Sequence, residues 1–254
     1  MEARGETVQG ARAEETLDRL SGDWWIYQLR RGHRYTTDDV ICAWTALRSR
    51  PDALRILDLG SGTGALGMLV LARLPPEARL VGVEIQPESV ALARRSAARN
   101  GLESRAEFRR GDLRDPALLG SERFDLVLAN PPYLRADRAT HSPYAHRRTA
   151  RLELHGDVFD YCRAAKRCLT DGGIFCFCHA AADPRPELAA AEAGLAVLAR
   201  REVRFRQDKA PRIAVFRCAE RGQRADEPPI EVRRADGTRS EAYVAIRREL
   251  CMEA

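Results

Sequence analysis

LRILDLGSGTG, at residues 54 to 64, is the stretch that decides the fold. Its first half is short and apolar, which predicts a buried β-strand from Leu54 to Leu59. A loop with three glycines follows, and an apolar helix is predicted directly after it, from Ala65 to Leu74. Glycine lets the backbone turn tightly and approach a ligand closely. The stretch therefore predicts a strand, a ligand-binding loop and a helix in succession.

Two acidic residues follow later strands of the same kind. The predicted strand Leu80–Val83 ends at Glu84, where a carboxylate can bind a ribose diol. After the strand near Glu107, the turn at Gly111 puts Asp112 where its carboxylate can accept a hydrogen bond from an adenine amino group. The glycine loop alone does not separate a dinucleotide site from a site for S-adenosylmethionine. Both acids are also compatible with ordinary solvated positions at strand ends.

Another predicted strand, Phe124–Ala129, stops at Asn130-Pro131-Pro132-Tyr133 because two prolines cannot continue it. The side-chain oxygen of Asn130 and the carbonyl of Pro131 are two acceptors that can hold both protons of one amino group. The exocyclic amine of a purine is a poor nucleophile because its lone pair is delocalised into the ring. The two acceptors favour a localised lone pair on that nitrogen, and Tyr133 can stack on the purine ring. This pattern predicts chemistry on nitrogen. The alternative is a proline-rich turn with Tyr133 packed in the core.

Together, these motifs resemble those of the class I S-adenosylmethionine-dependent methyltransferases, over roughly residues 28 to 218. The resemblance implies S-adenosylmethionine as the cofactor and catalytic roles for Asn130, Pro131 and Tyr133. It also implies a set of cofactor-binding residues, namely Thr37, Asp38, Asp58, Gly60, Gly62, Gly64, Glu84, Asp112, Leu113 and Asn130.

A narrower similarity lies upstream and downstream of these motifs. QLRRGHRYTTD, at residues 28 to 38, is similar to the opening of the bacterial tRNA(Val) adenine-N6 methyltransferase family, with His33 in place of a commoner aromatic residue. RRTARLE at residues 147 to 153 and RSEAY at residues 239 to 243 also resemble that family. The family modifies an adenosine beside the anticodon, and its relatives include rRNA amine methyltransferases and protein glutamine methyltransferases.

The segment Thr36-Thr37-Asp38-Asp39 has two interpretations. A threonine followed by acids in the first turn is typical of a capped helix start. The family resemblance instead puts Thr37 and Asp38 over the methionine end of the cofactor.

The chain is basic, with a net charge of +5, and all of its 42 basic residues except Lys166 and Lys209 are arginine. Several of them lie just after the Asn130 motif, where a phosphodiester backbone would pass. The residues predicted to contact nucleic acid are Arg34, Arg135, Arg138, Arg147, Arg148 and Arg151. The alternative is a solvated arginine-rich face without a polyanionic partner.

Strand and helix patterns alternate along the chain, which predicts an α/β fold with a doubly wound, seven-stranded, mostly parallel sheet of the Rossmann-like methyltransferase type. A closing hairpin, Val197–Phe205 with Arg212–Phe216, is expected to place an antiparallel strand at the edge. In such sheets the ligand crevice opens at the carboxyl ends of the strands. The glycine loop, Glu84, Asp112 and Asn130 should therefore converge.

Residues 1–21 are polar and acidic and are predicted to be a flexible tail, followed by a single methyltransferase domain at residues 22–254. No apolar run is long enough to span a membrane and no signal-peptide core is visible, so a cytoplasmic protein is expected. The seven cysteines are expected to be free thiols. Cys176 and Cys178 lack a matching pair of ligands, so no metal site is predicted.

The sequence predicts a methyltransferase for the exocyclic amine (N6) of an adenine in structured RNA, most readily tRNA. The base would be extruded into the Asn130 pocket, and the main task of the enzyme would be to align nitrogen, carbon and sulfur. The alternatives are an rRNA amine methyltransferase, a protein glutamine N5-methyltransferase, a DNA adenine methyltransferase and a cofactor-binding RNA adaptor without activity. The oligomeric state is left open.

Overall fold

The computed structural model describes residues 12–32, 34–133, 153 and 156–253. Within these residues the strands are β1 (Glu15–Ser21), β2 (Trp24–Leu29), β3 (Arg55–Leu59), β4 (Arg79–Glu84), β5 (Ala106–Arg110), β6 (Phe124–Ala129), β7 (Leu169–Ala180), β8 (Ala196–Arg204), β9 (Ile213–Ala219) and β10 (Ile230–Glu231). The helices are α1 (Thr37–Ser49), α2 (Ala65–Leu71), α3 (Pro87–Arg99), α4 (Val158–Cys168), α5 (Arg185–Glu192) and α6 (Glu241–Glu249), with one 3₁₀ turn at Pro116–Leu118.

Eight of the described strands form one sheet in the order β10-β8-β9-β7-β6-β3-β4-β5. All neighbours pair in parallel except β9, which runs antiparallel to both β7 and β8. The predicted α/β fold with a mostly parallel sheet is confirmed. The closing hairpin is present, but its antiparallel strand lies inside the sheet and the short β10 forms the edge. Strand β8 leaves a gap beside β7 after its crossover through α5, and β9 turns back to fill that gap.

Helices cover both faces of this sheet, because successive side chains of a buried strand point to opposite sides. In β6, Leu126 and Leu128 belong to the apolar cluster that includes residues of α1, α2 and α3. Val127, between them, belongs to a second cluster that includes residues of α4 and α5. The arrangement is therefore doubly wound, as predicted.

The order of the strands reverses at β3. The chain runs outward from β3 through β4 to β5, then returns to the other side of β3 as β6 and continues to β7. Connections that leave adjacent strands in opposite directions open a crevice at the carboxyl ends of those strands. The loops after β3 and β6 therefore lie beside this crevice.

The structure corrects the expected boundary of the N-terminal tail. Residues 15 to 21 do not belong to a tail, because they form β1, which pairs with β2 across a tight turn at Gly22. The hairpin docks on α3, because the side-chain amide of Asn100 hydrogen-bonds both the N–H and the C=O of Trp25. Leu20 is 1% exposed, so its burial outweighs the polar character of its neighbours.

None of the described helices is long and apolar enough to cross a membrane. All seven cysteines are free, as predicted, and each is buried except Cys251.

Candidate active site

A cleft opens at the carboxyl ends of β3, β4, β5 and β6. It is lined by the glycine loop after β3, by the residues that follow β4 and β5, and by Asn130 and Pro132 after β6. The segment leading into α1 and the helix α4 close its other sides. The predicted convergence of the glycine loop, Glu84, Asp112 and Asn130 is therefore present in the structure.

The glycine loop is compressed between its neighbours. Gly60 and Gly62 have positive φ angles of 66° and 54°, which glycine adopts without strain. A Cβ atom at Gly60 would collide with the hydroxyl of Tyr161 from α4. The loop thus presents the backbone of Gly60 and Gly62 at the surface of the cleft, beside Ser61 and Thr63.

Glu84 fixes the loop to the end of β4. Its Oε2 accepts a hydrogen bond from the N–H of Gly62 at 2.9 Å, and its Oε1 accepts one from the N–H of Gln86 at 2.8 Å. Burial raises the pKa of this carboxyl group above its ordinary value. Each carboxylate oxygen still has acceptor capacity for a ligand hydroxyl.

Two predicted cofactor-binding residues do not line the cleft but support it from below. Asp58 is buried, and its Oδ2 accepts a hydrogen bond from the N–H of Gly67 at 2.9 Å, which anchors the first turn of α2. A Cβ atom at Gly64 would lie 2.7 Å from the ring of Phe108, so this glycine allows α2 to approach the sheet. These contacts give both residues a structural role in the described chain, and their contact with the cofactor stays a prediction.

Asp112 and Leu113 line the cleft on the side of β5. The Asp112 carboxylate is held in place by Arg114, whose guanidinium nitrogens Nε and Nη2 donate to it at distances from 2.5 to 3.0 Å. It also accepts from the backbone N–H of Arg114 at 2.9 Å. The carboxylate therefore has a fixed direction at the wall of the cleft.

Asn130 is positioned by residues from two other elements. Its Nδ2 donates to Oδ1 of Asp39 at 2.9 Å, and its Oδ1 accepts from the thiol of Cys178 at 3.0 Å. The neighbouring Cys42 thiol and burial raise the pKa of Cys178 well above its ordinary value, so the thiol keeps the proton that it donates. Asp39 is buried, and its Oδ2 accepts from the N–H of Thr36 at 2.7 Å. The Asn130 amide is thus fixed at both ends.

Tyr133 packs behind the cleft, and is not among the lining residues of the described chain. Its hydroxyl donates to Oδ2 of Asp38 at 2.9 Å, and its ring meets His179 edge-on with centroids 5.8 Å apart. Burial, followed by the Asp38 charge, raises the pKa of Tyr133. This arrangement agrees with the alternative interpretation of Tyr133 as a packed aromatic residue.

The capped helix start is confirmed for the segment before α1, since Thr36 and Asp39 form a reciprocal capping box. Neither Thr37 nor Asp38 is among the lining residues of this cleft, and their contact with the cofactor stays a prediction. Asp38 holds Tyr133, and Thr37 lines a second cleft. In the described chain the cleft is lined from this segment by Tyr35 and Asp39. Successive side chains of a helix point to different sides, and local sequence does not predict which of them faces the cleft.

Arg34, predicted to contact nucleic acid, lies in an ion pair with Asp18 at 2.7 Å and also donates to Thr16. The other predicted contacts, Arg135, Arg138, Arg147, Arg148 and Arg151, lie outside the described residues.

Asp39, Ser61 and Tyr161 are among the lining residues that the sequence analysis missed. Asp39 was recognised only as a helix-cap acid, although its N3 position in the capping box is the signal that marks it. Ser61 lies within the glycine loop, and its buried Oγ has no hydrogen-bond partner among the described residues. Tyr161 reaches the cleft from α4, about a hundred residues later in the chain, and no local pattern predicts that contact.

Comparison with known proteins agrees with this geometry. A family model described as a methyltransferase domain matches residues 51–213, which contain the glycine loop, both acids and Asn130. The chain belongs to this methyltransferase domain family.

Two curated relatives illustrate the range within the family. The release factor glutamine methyltransferase of Geobacter sulfurreducens is 38% identical over 143 residues, which cover 54% of this chain and 49% of that protein. The tRNA1(Val) (adenine(37)-N6)-methyltransferase of Tolumonas auensis is 27% identical over 223 residues, covering 87% of this chain and 91% of that protein. The chain spans about half the length of several of the curated relatives that it matches.

The fold is shared with solved structures. A predicted O-methyltransferase from Agrobacterium tumefaciens superimposes with a TM-score of 0.61 at 21% sequence identity, covering 86% of this chain and 99% of that one. At this identity the likeness describes the fold alone.

Proposed function

We propose that this chain is a cytoplasmic S-adenosylmethionine-dependent methyltransferase that modifies the exocyclic amine (N6) of an adenine in structured RNA, with tRNA as the substrate. The observation that carries the proposal is the Asn130 amide, held by Asp39 and Cys178 beside a cleft built on a glycine loop. A fixed acceptor in the lining of this cleft suits the binding of an amino group.

The lining of the cleft fits S-adenosylmethionine. Glu84 would bind the ribose hydroxyls and Asp112 the adenine amino group, while Gly60, Gly62 and Leu113 would contact the nucleoside through their backbone and apolar surface. Each carboxylate oxygen of Glu84 accepts one backbone N–H and keeps capacity for a further donor, which suits the two hydroxyls of a ribose. When bound, this cofactor supplies a methyl group on a sulfonium leaving group.

The task of the chain is to present the amine to that methyl group. Asp39 accepts from Nδ2 of Asn130, which turns Oδ1 of Asn130 away from Asp39. The thiol of Cys178 uses one lone pair of Oδ1, and the other can accept from the substrate amine. The carbonyl of Pro131 would accept the second proton. A fixed pair of acceptors positions the amine and stabilises charge that develops on nitrogen.

RNA is favoured over protein as the substrate by the extent of similarity. The alignment with the Tolumonas tRNA enzyme extends over 87% of the chain and therefore includes segments on both sides of the 51–213 match. The alignment with the Geobacter glutamine methyltransferase covers 54%.

Protein glutamine is the second candidate substrate. A glutamine side chain also carries an amide –NH2 that the same acceptors can hold, and the Geobacter relative is 38% identical in the aligned part. The two candidates differ in the macromolecule that delivers the amine.

The test is transfer of a labelled methyl group from S-adenosylmethionine to total tRNA, rRNA and a protein extract in parallel, followed by nucleoside mass spectrometry. N6-methyladenosine in the tRNA is the expected product. Label confined to protein would overturn the RNA assignment and favour the glutamine candidate. Label confined to rRNA would retain the amine chemistry but refute tRNA.

A further inference from the structure

A second cleft lies beside the candidate active site, and Tyr35 lines both. The second cleft runs between the segment before α1 and the segment from β10 to α6. We propose that it binds the phosphodiester backbone of the RNA next to the nucleotide that enters the active site. This inference rests on the proposed function and names the surface that holds its substrate.

The charge of the cleft is the first argument. Arg34, Arg233, Arg239 and Arg247 line it, while Asp18 is the acidic residue among the described lining residues. Asp18 neutralises Arg34 at 2.7 Å. The other three arginines have no carboxylate partner in the described part of the chain. Arg233 and Arg247 donate to the backbone carbonyls of Gly237 and Glu253.

Arginines without a carboxylate partner among the described residues also occur elsewhere, as at Arg99 and Arg123, but here three of them line one cleft. Many other arginines of the protein are paired with acids, such as Arg109 with Glu122 and Arg224 with Glu187. Three guanidinium groups that find no carboxylate among the described residues surround one concave surface. They produce a positive potential that a phosphate chain would neutralise.

Aromatic side chains are the second argument. Tyr35 and Phe205 are half-buried and line the cleft, with Arg212 lying over the Phe205 ring at 5.5 Å. Tyr35 is fixed by a hydrogen bond from its N–H to Oε1 of Gln28 at 2.9 Å. Single-stranded nucleic acid is bound by this combination of a cationic groove and aromatic faces.

The origin of the walls is the third argument. All described lining residues of this cleft except Phe205 lie outside residues 51–213, the part matched by the methyltransferase domain. The two walls meet near Thr37, whose Oγ1 lies 3.5 Å from the hydroxyl of Tyr243. The second cleft is thus formed almost entirely by segments that precede or follow the matched domain. A surface outside the shared domain is where substrate choice would be made.

The test is the charge reversal Arg233→Glu with Arg239→Glu, because both side chains are exposed. The matched control is Arg99→Glu with Arg123→Glu, which makes the same change in net charge at exposed positions. Arg99 ends α3 and Arg123 precedes β6, so both lie away from the second cleft. Binding of unmodified tRNA is measured between 50 and 300 mM salt (on the order of the range in which phosphate contacts are screened), with S-adenosylmethionine affinity and unfolding temperature as readouts of the fold.

We expect the cleft variant to bind tRNA at least about ten-fold more weakly than the control variant near 0.1 M salt, with a salt slope smaller by about 1.5. Its KM for tRNA should rise while kcat stays near that of the control, because phosphate contacts bind substrate and transition state alike. Cofactor affinity should be unchanged in both variants.

Equal tRNA affinity and salt slope in the cleft and control variants, with tRNA still methylated by both, would overturn the inference and leave the proposed function standing. A wild-type chain that binds S-adenosylmethionine but transfers label only to protein would overturn the RNA assignment, and the cleft inference with it.

Discussion

Asp39 has two roles that are normally carried by separate residues. Its Oδ2 closes the capping box of α1 by accepting from Thr36, and its Oδ1 holds the Asn130 amide. Burial raises the pKa of Asp39, so its two hydrogen bonds work against a desolvation cost. Such a residue connects the stability of a helix terminus to the direction of the Asn130 amide.

The substitution Asp39→Asn tests whether Asp39 positions the Asn130 amide. An asparagine side chain has a single acceptor oxygen in place of two, so it cannot serve Thr36 and Asn130 from separate oxygens. We expect kcat for tRNA to fall about ten-fold or more because the Asn130 amide loses its fixed direction. Methyl transfer under saturating substrates is the measurement.

Thr36→Ala is the matched control for Asp39→Asn. It removes the threonine side of the same capping box and should cost about 1 kcal/mol of stability while leaving kcat close to wild type. Equal effects of the two substitutions on kcat would contradict a positioning role for Asp39.

Much of the candidate site could be predicted at the residue scale. Glu84, Asp112 and Asn130 follow their strands at positions that the fold rule connects to a ligand, and all three line the cleft. Asp39 and Tyr161 were missed because a side chain's direction on a helix depends on how the helix packs. The functional roles of all five residues remain predictions.

At the scale of elements, the glycine loop depends on how closely α2 and α3 pack on the sheet. Gly64 has φ 85° and lies under Phe108, so a side chain there meets both backbone strain and a filled space. Gly101 has φ 67°, but a Cβ atom added there would find nothing within 4 Å. A side chain at Gly101 therefore meets backbone strain alone.

The pair Gly64→Ala and Gly101→Ala therefore isolates the packing contribution. We expect Gly101→Ala to lower the free energy of unfolding by about 1 kcal/mol, from the left-handed conformation alone. Gly64→Ala should lower it by about 3 kcal/mol or more, since overpacking against Phe108 is added. Chemical denaturation of both variants measures this, and equal losses would refute the close approach of α2.

The strands and helices themselves were largely predictable, whereas the order of the strands in the sheet was not. The short apolar runs predicted β3, β4 and β6 because a buried strand must be apolar on both faces. Pairing partners are not encoded in such runs, so the inner position of β9 and the eighth strand became visible only in the structure. The hairpin of β1 and β2 was missed because the polar residues around Leu20 conceal its buried positions.

At the scale of the whole molecule, one histidine connects stability to pH. His179 at the end of β7 is fully buried, and burial lowers its pKa from 6.5 to about 4. The Asp183 carboxylate, 3.7 Å from Nδ1, favours protonation, while the positive charge of Arg185 opposes it. The unfolded chain therefore binds a proton near pH 6.5, which the folded chain accepts only near pH 4.

This difference predicts a loss of stability on acidification. A depressed folded pKa of a histidine contributes stability that is present above pH 6.5 and is lost as the pH falls toward 4. Between pH 7.5 and pH 5 the loss from His179 should be about 2 kcal/mol. Denaturant unfolding of the wild type and of His179→Phe at both pH values measures it. The same pH dependence in both proteins would show that His179 is not the titrating group.

The central claim is that the Asn130 amide holds the substrate amine while that amine receives the methyl group. Its most direct test is single-turnover methylation of tRNA by the Asn130→Ala variant, with N6-methyladenosine quantified by mass spectrometry and S-adenosylmethionine affinity measured by calorimetry. We predict a rate at least about a hundred-fold below wild type with cofactor affinity nearly unchanged. A wild-type rate in this variant would contradict the claim.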